Sequence, residues 1–560
     1  MDPQALALRI ASLAERIVVA RMGEANPVIG PDDVALERPK KAEYGDWASS
    51  VALKLSKPLG VPPRELAEEL ATAILTIEGV ASVDIAGPGF LNITLDAAAA
   101  GDIARTIVEA GESFGRNDVL AGKTFNVEFV SANPTGPLHI GHTRWAALGD
   151  SLVRVLRAAG ATVISEFYIN DAGNQIDLFG LSVLAKALGH EPPEGAYPGN
   201  YIDDLAKDLL AAVPELPQLS DSEALVIARE FAYSAQLDAI QASLEAFRVH
   251  FDVWFSERQL HRVSTPEGLS LIDQSVDRLR AQGHVFDDDG AVWVKTSDFG
   301  DDKDRVIKRG NGNYTYFAAD AAYYLSKKDR GADITIYLLG ADHHGYVHRL
   351  KAIAGAAGDN PDTDIEVLIG QLVSVNGAKL SKRAGNIIEL DDLHEWLGTD
   401  ALRYSLGRYP ADSPLTLEPD VLLKRSNDNP VFYVQYAHAR CHQVRRNAVA
   451  AGVDGRGIDG SGFDPGTLTH PTETELLTAL ADFPRIVAQA AELREPHRVA
   501  RYLEDISGSY HRWYDACRVT PQGDDEVTST HHSRLWVNDA TAQVLRNGLD
   551  LLGVDAPERM

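Results

Sequence analysis

Cysteine is nearly missing from this 560-residue sequence: Cys441 and Cys517 are the only two, and no CxxC pair occurs. A disulfide framework or a cysteine zinc site is therefore not expected, and a reducing compartment, the cytoplasm, fits. Also missing is any uninterrupted apolar run of about eighteen residues, the length a membrane-spanning helix needs. The opening Met1-Asp2-Pro3-Gln4 lacks the basic cluster and apolar stretch of a secretory signal. Positive charge is in deficit: 53 lysines and arginines stand against 81 acidic residues, a net of −28. That balance argues against a surface built to coat DNA. It does not argue against a folded RNA, because a few local cations and helix N-termini can meet phosphates on an acidic body.

What is present is ample core material, 45% hydrophobic residues, in a chain long enough for about three or four domains. Residues 1–112 read as an α+β unit. Leu6, Ile10, Leu13 and Ile17 fall at helical spacing, whereas Leu91, Ile93 and Leu95 alternate with polar residues after a Gly87-Pro88-Gly89 turn. Residues 113–415 open with alternation again: Phe125, Val127 and Phe129 on one face, Asn126 and Glu128 on the other. A Pro134-Thr135-Gly136-Pro137 loop follows, then a helical stripe of Leu148, Leu152 and Leu156 closed by Gly160, then a strand over 161–169. Strand, loop, helix and strand make a βαβ unit, which implies a parallel sheet. The sheet is expected to resume at Ile334 to Leu339 and Ile365 to Ile369. Residues 176–290 are helix-rich, and either an insertion or the second half of the sheet suits them. Residues 416–560 are helical throughout, with a capping-box pattern at Thr472 and Glu475 and stripes such as Leu503, Ile506, Tyr510, Trp513 and Cys517. Gly452 to Gly466 is a glycine- and aspartate-rich loop.

Two short segments carry chemistry. His139-Ile140-Gly141-His142 sits where the first strand of the βαβ unit gives way to its helix. Unpaired N–H groups and the positive end of the helix dipole gather there, and glycine allows a phosphate to approach the backbone. Two imidazoles three positions apart can donate to oxygens that gain charge as an α-phosphate is attacked. Taken alone, the same residues also suit capping or core histidines, or a pair of zinc ligands. The second segment, Lys379-Leu380-Ser381-Lys382-Arg383, offers two ammonium groups for a leaving pyrophosphate; a solvated basic loop is its plainer reading. In this order the pair resembles the HIGH and KMSKS motifs of class I aminoacyl-tRNA synthetases. Leucine in place of methionine and arginine in place of the last serine depart from the second motif but keep both lysines.

Further stretches narrow the resemblance. The run from Val130 to Leu138, Tyr168-Ile169-Asn170-Asp171-Ala172-Gly173-Asn174-Gln175, Gly340-Ala341-Asp342-His343-His344-Gly345-Tyr346, Ser426-Asn427-Asp428-Asn429-Pro430 and the closing Ala556-Pro557-Glu558-Arg559-Met560 look like bacterial-type arginyl-tRNA synthetases, over essentially the whole chain. The resemblance implies a multidomain α/β protein with a Rossmann-like parallel-sheet catalytic domain between an N-terminal α+β domain and a C-terminal all-α helix bundle of the DALR anticodon-binding type. It implies ATP binding by His139, Gly141, His142, Lys379, Ser381 and Lys382, with catalysis by His139, His142, Lys379 and Lys382. The arginine pocket falls on Glu128, Ser131, Asn133, His142, Tyr316, Asp320 and His343. A guanidinium carries five donors in a planar fork, so carboxylates such as Glu128 and Asp320 suit it.

By the same resemblance L-arginine, ATP and tRNA(Arg) are the substrates, and Mg²⁺ arrives with ATP rather than in a protein cage. No protein-held metal is expected, at His343, His344 and His348 included. Transfer RNA is expected to meet Asn429, Tyr433, Tyr436 and Arg440, while Asn427, Gln435 and His438 lie on or beside the same helix. The N-terminal unit is expected to touch the outer corner of the tRNA, and activation of arginine to need tRNA. A monomer with no membrane or DNA partner is implied. Two alternatives stand beside this reading: a class I synthetase for another amino acid, lysine being the nearest cation, and a nucleotidyltransferase of a small cofactor.

Overall fold

The computed structural model describes residues 3–22, 29–39, 41, 44–191, 193–376, 388–453 and 463–560. At the N-terminal end, helices Pro3–Met22, Val51–Leu59 and Pro63–Ile74 accompany a four-stranded antiparallel sheet. Leu6 and Ile10 are fully buried on the first helix, with Leu13 and Ile17 packed at the margin of the same core. The Gly87–Gly89 turn joins the two longest strands, Val80–Ala86 and Phe90–Leu95, as its glycines suggested.

The central sheet has five strands: β1 Thr124–Glu128, β2 Thr162–Ile169, β3 Val253–Ser256, β4 Ile334–Gly340 and β5 Ile365–Gly370. Their order is β5-β4-β1-β2-β3, and all four pairings are parallel. Alternation suggested that β1 had one polar face. Both faces are instead buried: Asn126 is 1% and Glu128 7% exposed. The cause is a helix on each side, the usual condition of a parallel strand. Helix α1, Ile140–Ala158, lies so close that a methyl on Gly149 would overlap the Phe129 ring. Helix α2, Tyr316–Asp329, covers the Glu128 side. Gly160, at φ 87°, ends α1 in the left-handed conformation its position required.

Residues 176–290 hold both things the sequence left open. Helices Asn174–Leu188, Asn200–Ala212 and Asp221–Ala246 are inserted between β2 and β3 and share a small core of their own around Phe179, Val183 and Leu209. The chain then supplies β3, the edge of the main sheet. A three-stranded antiparallel sheet, Val285–Asp288, Ala291–Val294 and Arg305–Lys308, precedes α2 and had no clear sequence signal.

The remaining helices include α3 Thr399–Gly407, α4 Pro430–Ala450, α5 His497–Ala516 and α6 Ser529–Leu551. One expected cap is displaced. The helix after 470 starts at Pro471, with His470 and Glu473 forming the box in place of Thr472 and Glu475. Proline at the first helical position fixes φ and needs no hydrogen bond, so it sets the start. A buried hub ties these helices to the sheet. Arg403 of α3 is 1% exposed and donates to Asp150 of α1 at 2.5 Å, to the carbonyl of Leu552 at 3.0 Å and to that of Phe247 at 3.0 Å. Asp400 beside it accepts from Arg248 at 2.7 Å and from Gln435 of α4 at 2.8 Å. The third turn of α1 is thus anchored to the helical domain. Among the described residues no helix is long and apolar enough to cross a membrane.

Candidate active site

His139 caps the start of α1. Its Nδ1 accepts the Gly141 N–H at 3.1 Å, and the His142 Nδ1 accepts the His139 N–H at 3.3 Å. The two rings stack with centroids 3.8 Å apart. Burial lowers the pKa of His139; burial, reinforced by His139, brings His142 down to about 3. Both rings are therefore neutral at neutral pH, and because each Nδ1 is an acceptor, each proton sits on Nε2. The pair presents N–H donors without positive charge. Gly141 has a local reason for lacking a side chain: a Cβ there would press on the His139 ring at 3.0 Å.

Strand β1 ends at Glu128 in a strained turn. Val130 and Ser131 both have positive φ, 68° and 43°, a left-handed pair costing of order 1–3 kcal/mol per residue. The turn brings Ser131 Oγ back to donate to Glu128 Oε1 at 3.0 Å while accepting the Tyr168 N–H at 3.1 Å. The other oxygen, Oε2, receives the Lys327 ammonium of α2 at 2.6 Å. Glu128 is thus a buried ion-pair partner rather than a surface one.

Two turns nearer the start of α2, Asp320 accepts from the Tyr346 hydroxyl at 2.6 Å. Glu257 follows β3, is buried, and shares a hydrogen bond with the Tyr168 hydroxyl, which also lies in the field of Asp320 and Glu128. Burial raises the Asp320 carboxyl to about 7, with help from Glu257 and Glu128 and against the Tyr346 hydrogen bond and the charge of Arg349. Burial likewise raises Glu257 to about 7, against the Tyr168 hydrogen bond and with help from Asp171. Among the described residues neither has a lysine or arginine at ion-pair distance, and Glu257 has only His261 at 3.7 Å. Neighbouring carboxylates that lack an ion-pair contact make a slot that favours a further cation.

The other expected residues surround this slot. Tyr316 stands at the first position of α2, 81% exposed, one turn from Asp320. His343, exposed in the turn after β4, meets the Tyr346 ring edge-on at 6.3 Å. The Asn133 amide donates to Gln175, in the loop between β1 and the histidines. Lys379, Ser381 and Lys382 lie outside the described residues. The flank that follows them is bonded to the histidine loop: Ile140 N–H donates to the Ile388 carbonyl at 3.0 Å, and Leu390 N–H to the Leu138 carbonyl at 2.7 Å.

Sequence reasoning missed Lys327, Glu257, Tyr168 and Tyr346 as members of the site. Lys327 had a signal, since Asp320, Tyr323, Tyr324 and Lys327 repeat at helical spacing. Glu257 had none, because its approach depends on β3 lying next to β2.

The carboxyl ends of a parallel sheet carrying a histidine pair and an acidic slot are shared by several nucleotide-using enzymes, so comparison decides the family. The class I tRNA synthetase (R) catalytic domain matches residues 107–403, the arginyl-tRNA synthetase N-terminal domain residues 8–95, and the DALR anticodon-binding domain residues 434–560. The arginine–tRNA ligase of Pseudarthrobacter chlorophenolicus is 62% identical over the whole of both chains. The chain belongs to the arginyl-tRNA synthetases. The arginine–tRNA ligase of Micrococcus luteus is 60% identical over 95% of each chain. The Thermus thermophilus arginyl-tRNA synthetase structure shares the fold over 100% of both chains, with a TM-score of 0.75 at 24% identity.

In this synthetase the helical domain carries a half-buried aromatic and basic patch. Arg440 of α4 stacks over Tyr436 and Tyr514, 4.7 and 5.0 Å from their ring centroids, and donates to the Tyr436 hydroxyl at 2.7 Å. Tyr433 packs edge-on to His511 of α5. Asn429 does not join this patch. It is 4% exposed, and its amide donates to the carbonyls of Leu422 and Lys424, which makes it a structural cap of the preceding turn. Gln435 and His438 are also buried, holding the carbonyls of Asp555 and Pro557 in the closing segment.

Proposed function

We propose that the cleft at the carboxyl ends of β1 and β4 is where this arginyl-tRNA synthetase attaches L-arginine to tRNA. The observation that carries the reading is the pair of carboxyls, half-buried Asp320 and buried Glu257, which among the described residues have no lysine or arginine at ion-pair distance and lie near Glu128. In the first step the carboxylate of arginine attacks the α-phosphorus of ATP, forming arginyl-adenylate as pyrophosphate leaves. In the second, a terminal ribose hydroxyl of tRNA(Arg) attacks the acyl carbon and AMP leaves. No side-chain nucleophile is needed; positioning and charge stabilisation suffice.

Each residue then has a part. Asp320, Glu257 and Glu128 accept the guanidinium, with Tyr316 at the rim. Ser131, Asn133 and His343 hold the α-amino end. The Nε2 protons of His139 and His142 meet the phosphate oxygens near Gly141, and Lys379, Ser381 and Lys382 attend the leaving pyrophosphate. Mg²⁺ enters on the phosphates of ATP. Tyr433, Tyr436 and Arg440 are faces and donors for unstacked anticodon bases, and Asn429 drops out because its amide is already used. We read three units, residues 1–112 touching the outer corner of the tRNA, 113–415 catalysing, and 416–560 reading the anticodon, in a cytoplasmic monomer.

The test is aminoacylation of total tRNA with labelled arginine or lysine, alongside ATP–pyrophosphate exchange with and without tRNA. Arginine alone should be charged, and exchange should need tRNA. Asp320→Ala should lose arginine selection, whereas Lys382→Ala should slow adenylate formation with arginine binding kept. Equal charging by lysine, or normal arginine kinetics in Asp320→Ala, would overturn the reading.

A further inference from the structure

Glu128 and Asp320 belong to the same slot but are held in opposite ways. Among the described residues Asp320 accepts the Tyr346 hydroxyl and has no ion-pair contact, with Arg349 acting on it from farther away. Glu128 is gripped on both oxygens, by Ser131 from a strained turn and by Lys327 from beneath. Lys327 is 0% exposed, and its ammonium lies 4.3 Å and 3.9 Å from the ring centroids of Tyr323 and Tyr337. Aromatic faces stabilise a cation but provide no anion; among the described residues Glu128 is the carboxylate at ion-pair distance, with Glu166 in the same field. Enclosing an ammonium this completely is costly unless it is paired. A surface carboxylate or an apolar residue would serve packing alone at less cost.

We propose that Lys327 is a positioning residue for arginine recognition: from beneath the sheet it fixes Glu128 as an oriented acceptor whose remaining lone pairs face the slot. The inference rests on the reading that Glu128 lines the arginine pocket. Each carboxylate oxygen has two acceptor sites. With one site on each oxygen occupied, by Ser131 and by Lys327, the carboxylate cannot rotate, and the other sites keep a fixed direction for a substrate N–H. Lys327 also offsets the charge of Glu128, so the attraction for the guanidinium falls to Asp320 and Glu257. Glu128 supplies direction; they supply charge.

A double-mutant cycle on the full-length enzyme tests this, with arginine KM, ATP KM and kcat read in tRNA-dependent pyrophosphate exchange. Glu128→Gln should raise arginine KM by about 30-fold, the worth of a charge-assisted hydrogen bond. Lys327→Met should raise it by a similar factor, with ATP KM unmoved. The double variant should show about the same rise as either single change, not their product, and a higher melting temperature than Lys327→Met, because a neutral amide needs no buried counter-ion. If Lys327→Met does not fold, the comparison of Glu128→Gln with the double variant remains: equal arginine KM supports the inference. A further rise of tenfold or more in the double variant would show that Lys327 acts independently and would overturn it, as would a normal arginine KM in Lys327→Met. A normal arginine KM in Glu128→Gln would instead remove Glu128 from the pocket, and the underlying reading with it.

Discussion

Two buried clusters of charge sit at opposite ends of the same functional apparatus, one around Arg403 and one around Asp320. In the first every group is matched: Arg403 spends its donors on Asp150 and three carbonyls, and Asp400 takes Arg248 and Gln435. In the second, acids outnumber bases. Lys327 is committed to Glu128, and Asp320 and Glu257 are left with hydroxyls and a distant histidine. The contrast separates scaffold from site. A saturated cluster holds domains together, and a cluster short of one cation keeps a place for a cationic substrate.

The contrast can be broken most forcibly at the saturated end. Arg403→Ala leaves Asp150 buried without its partner, so denaturant unfolding should register a loss of about 3–5 kcal/mol. If stability is unchanged, the hub is not what joins α1 to the helical domain. At the unsaturated end the sign should reverse. Asp320→Asn should lower kcat/KM for arginine by about 100-fold, as expected when one partner of an enclosed charge pair is removed, while the unfolding midpoint stays level or rises. A lower midpoint would mean that Asp320 is scaffold after all.

A pH series sharpens the same point. The ordinary values of Asp320 and Glu257 are 3.8 and 4.5, and both stand at about 7 in the fold. A raised pKa means the folded chain holds the proton longer. Stability from these two groups is therefore full below about pH 4 and is lost as pH climbs through about 7. Arginine binding runs the other way, because it needs the ionised forms. Arginine KM should fall by about tenfold for each of the two groups, about 100-fold together, between pH 6 and 8, with ATP KM moving far less, since burial holds both histidines below the ordinary imidazole value. An arginine KM that rises with pH would contradict the assignment. The smallest effect is expected on α4, outside both clusters. Tyr436→Ala should raise tRNA KM by about fivefold, near the lower limit for one base stacked on one ring, and leave tRNA-independent arginine binding, followed by calorimetry, unaltered.

Much of the scaffold and half of the site could be read from the order of residues. The histidine loop was legible because its function is local: a cap, a glycine and two rings within four positions define their own geometry. The stripes of α1, α5 and α6 were legible because a helix buries what recurs at its own period. Glu128 was legible as a candidate, but alternation implied a half-exposed strand, and only the helices on both sides of β1 made it a buried acceptor. Lys327 left a faint helical trace that looked like one basic residue among Lys327, Lys328 and Arg330. The burial of Asn429 was not legible, because an amide before a helix can face bases or backbone, and only the fold put its N–H donors on the carbonyls of Leu422 and Lys424.

The sequence by itself determined the family and the parallel-sheet class, and it marked the histidine loop and the acidic residues as candidates, since each depends on residues close together in the chain or on patterns one element imposes. Which charges are matched and which are left wanting was decided only in three dimensions. Partners such as Tyr346 for Asp320 and Lys327 for Glu128 come from other elements, 26 and 199 positions away, and no local pattern records who will be beside a carboxylate when the sheet closes.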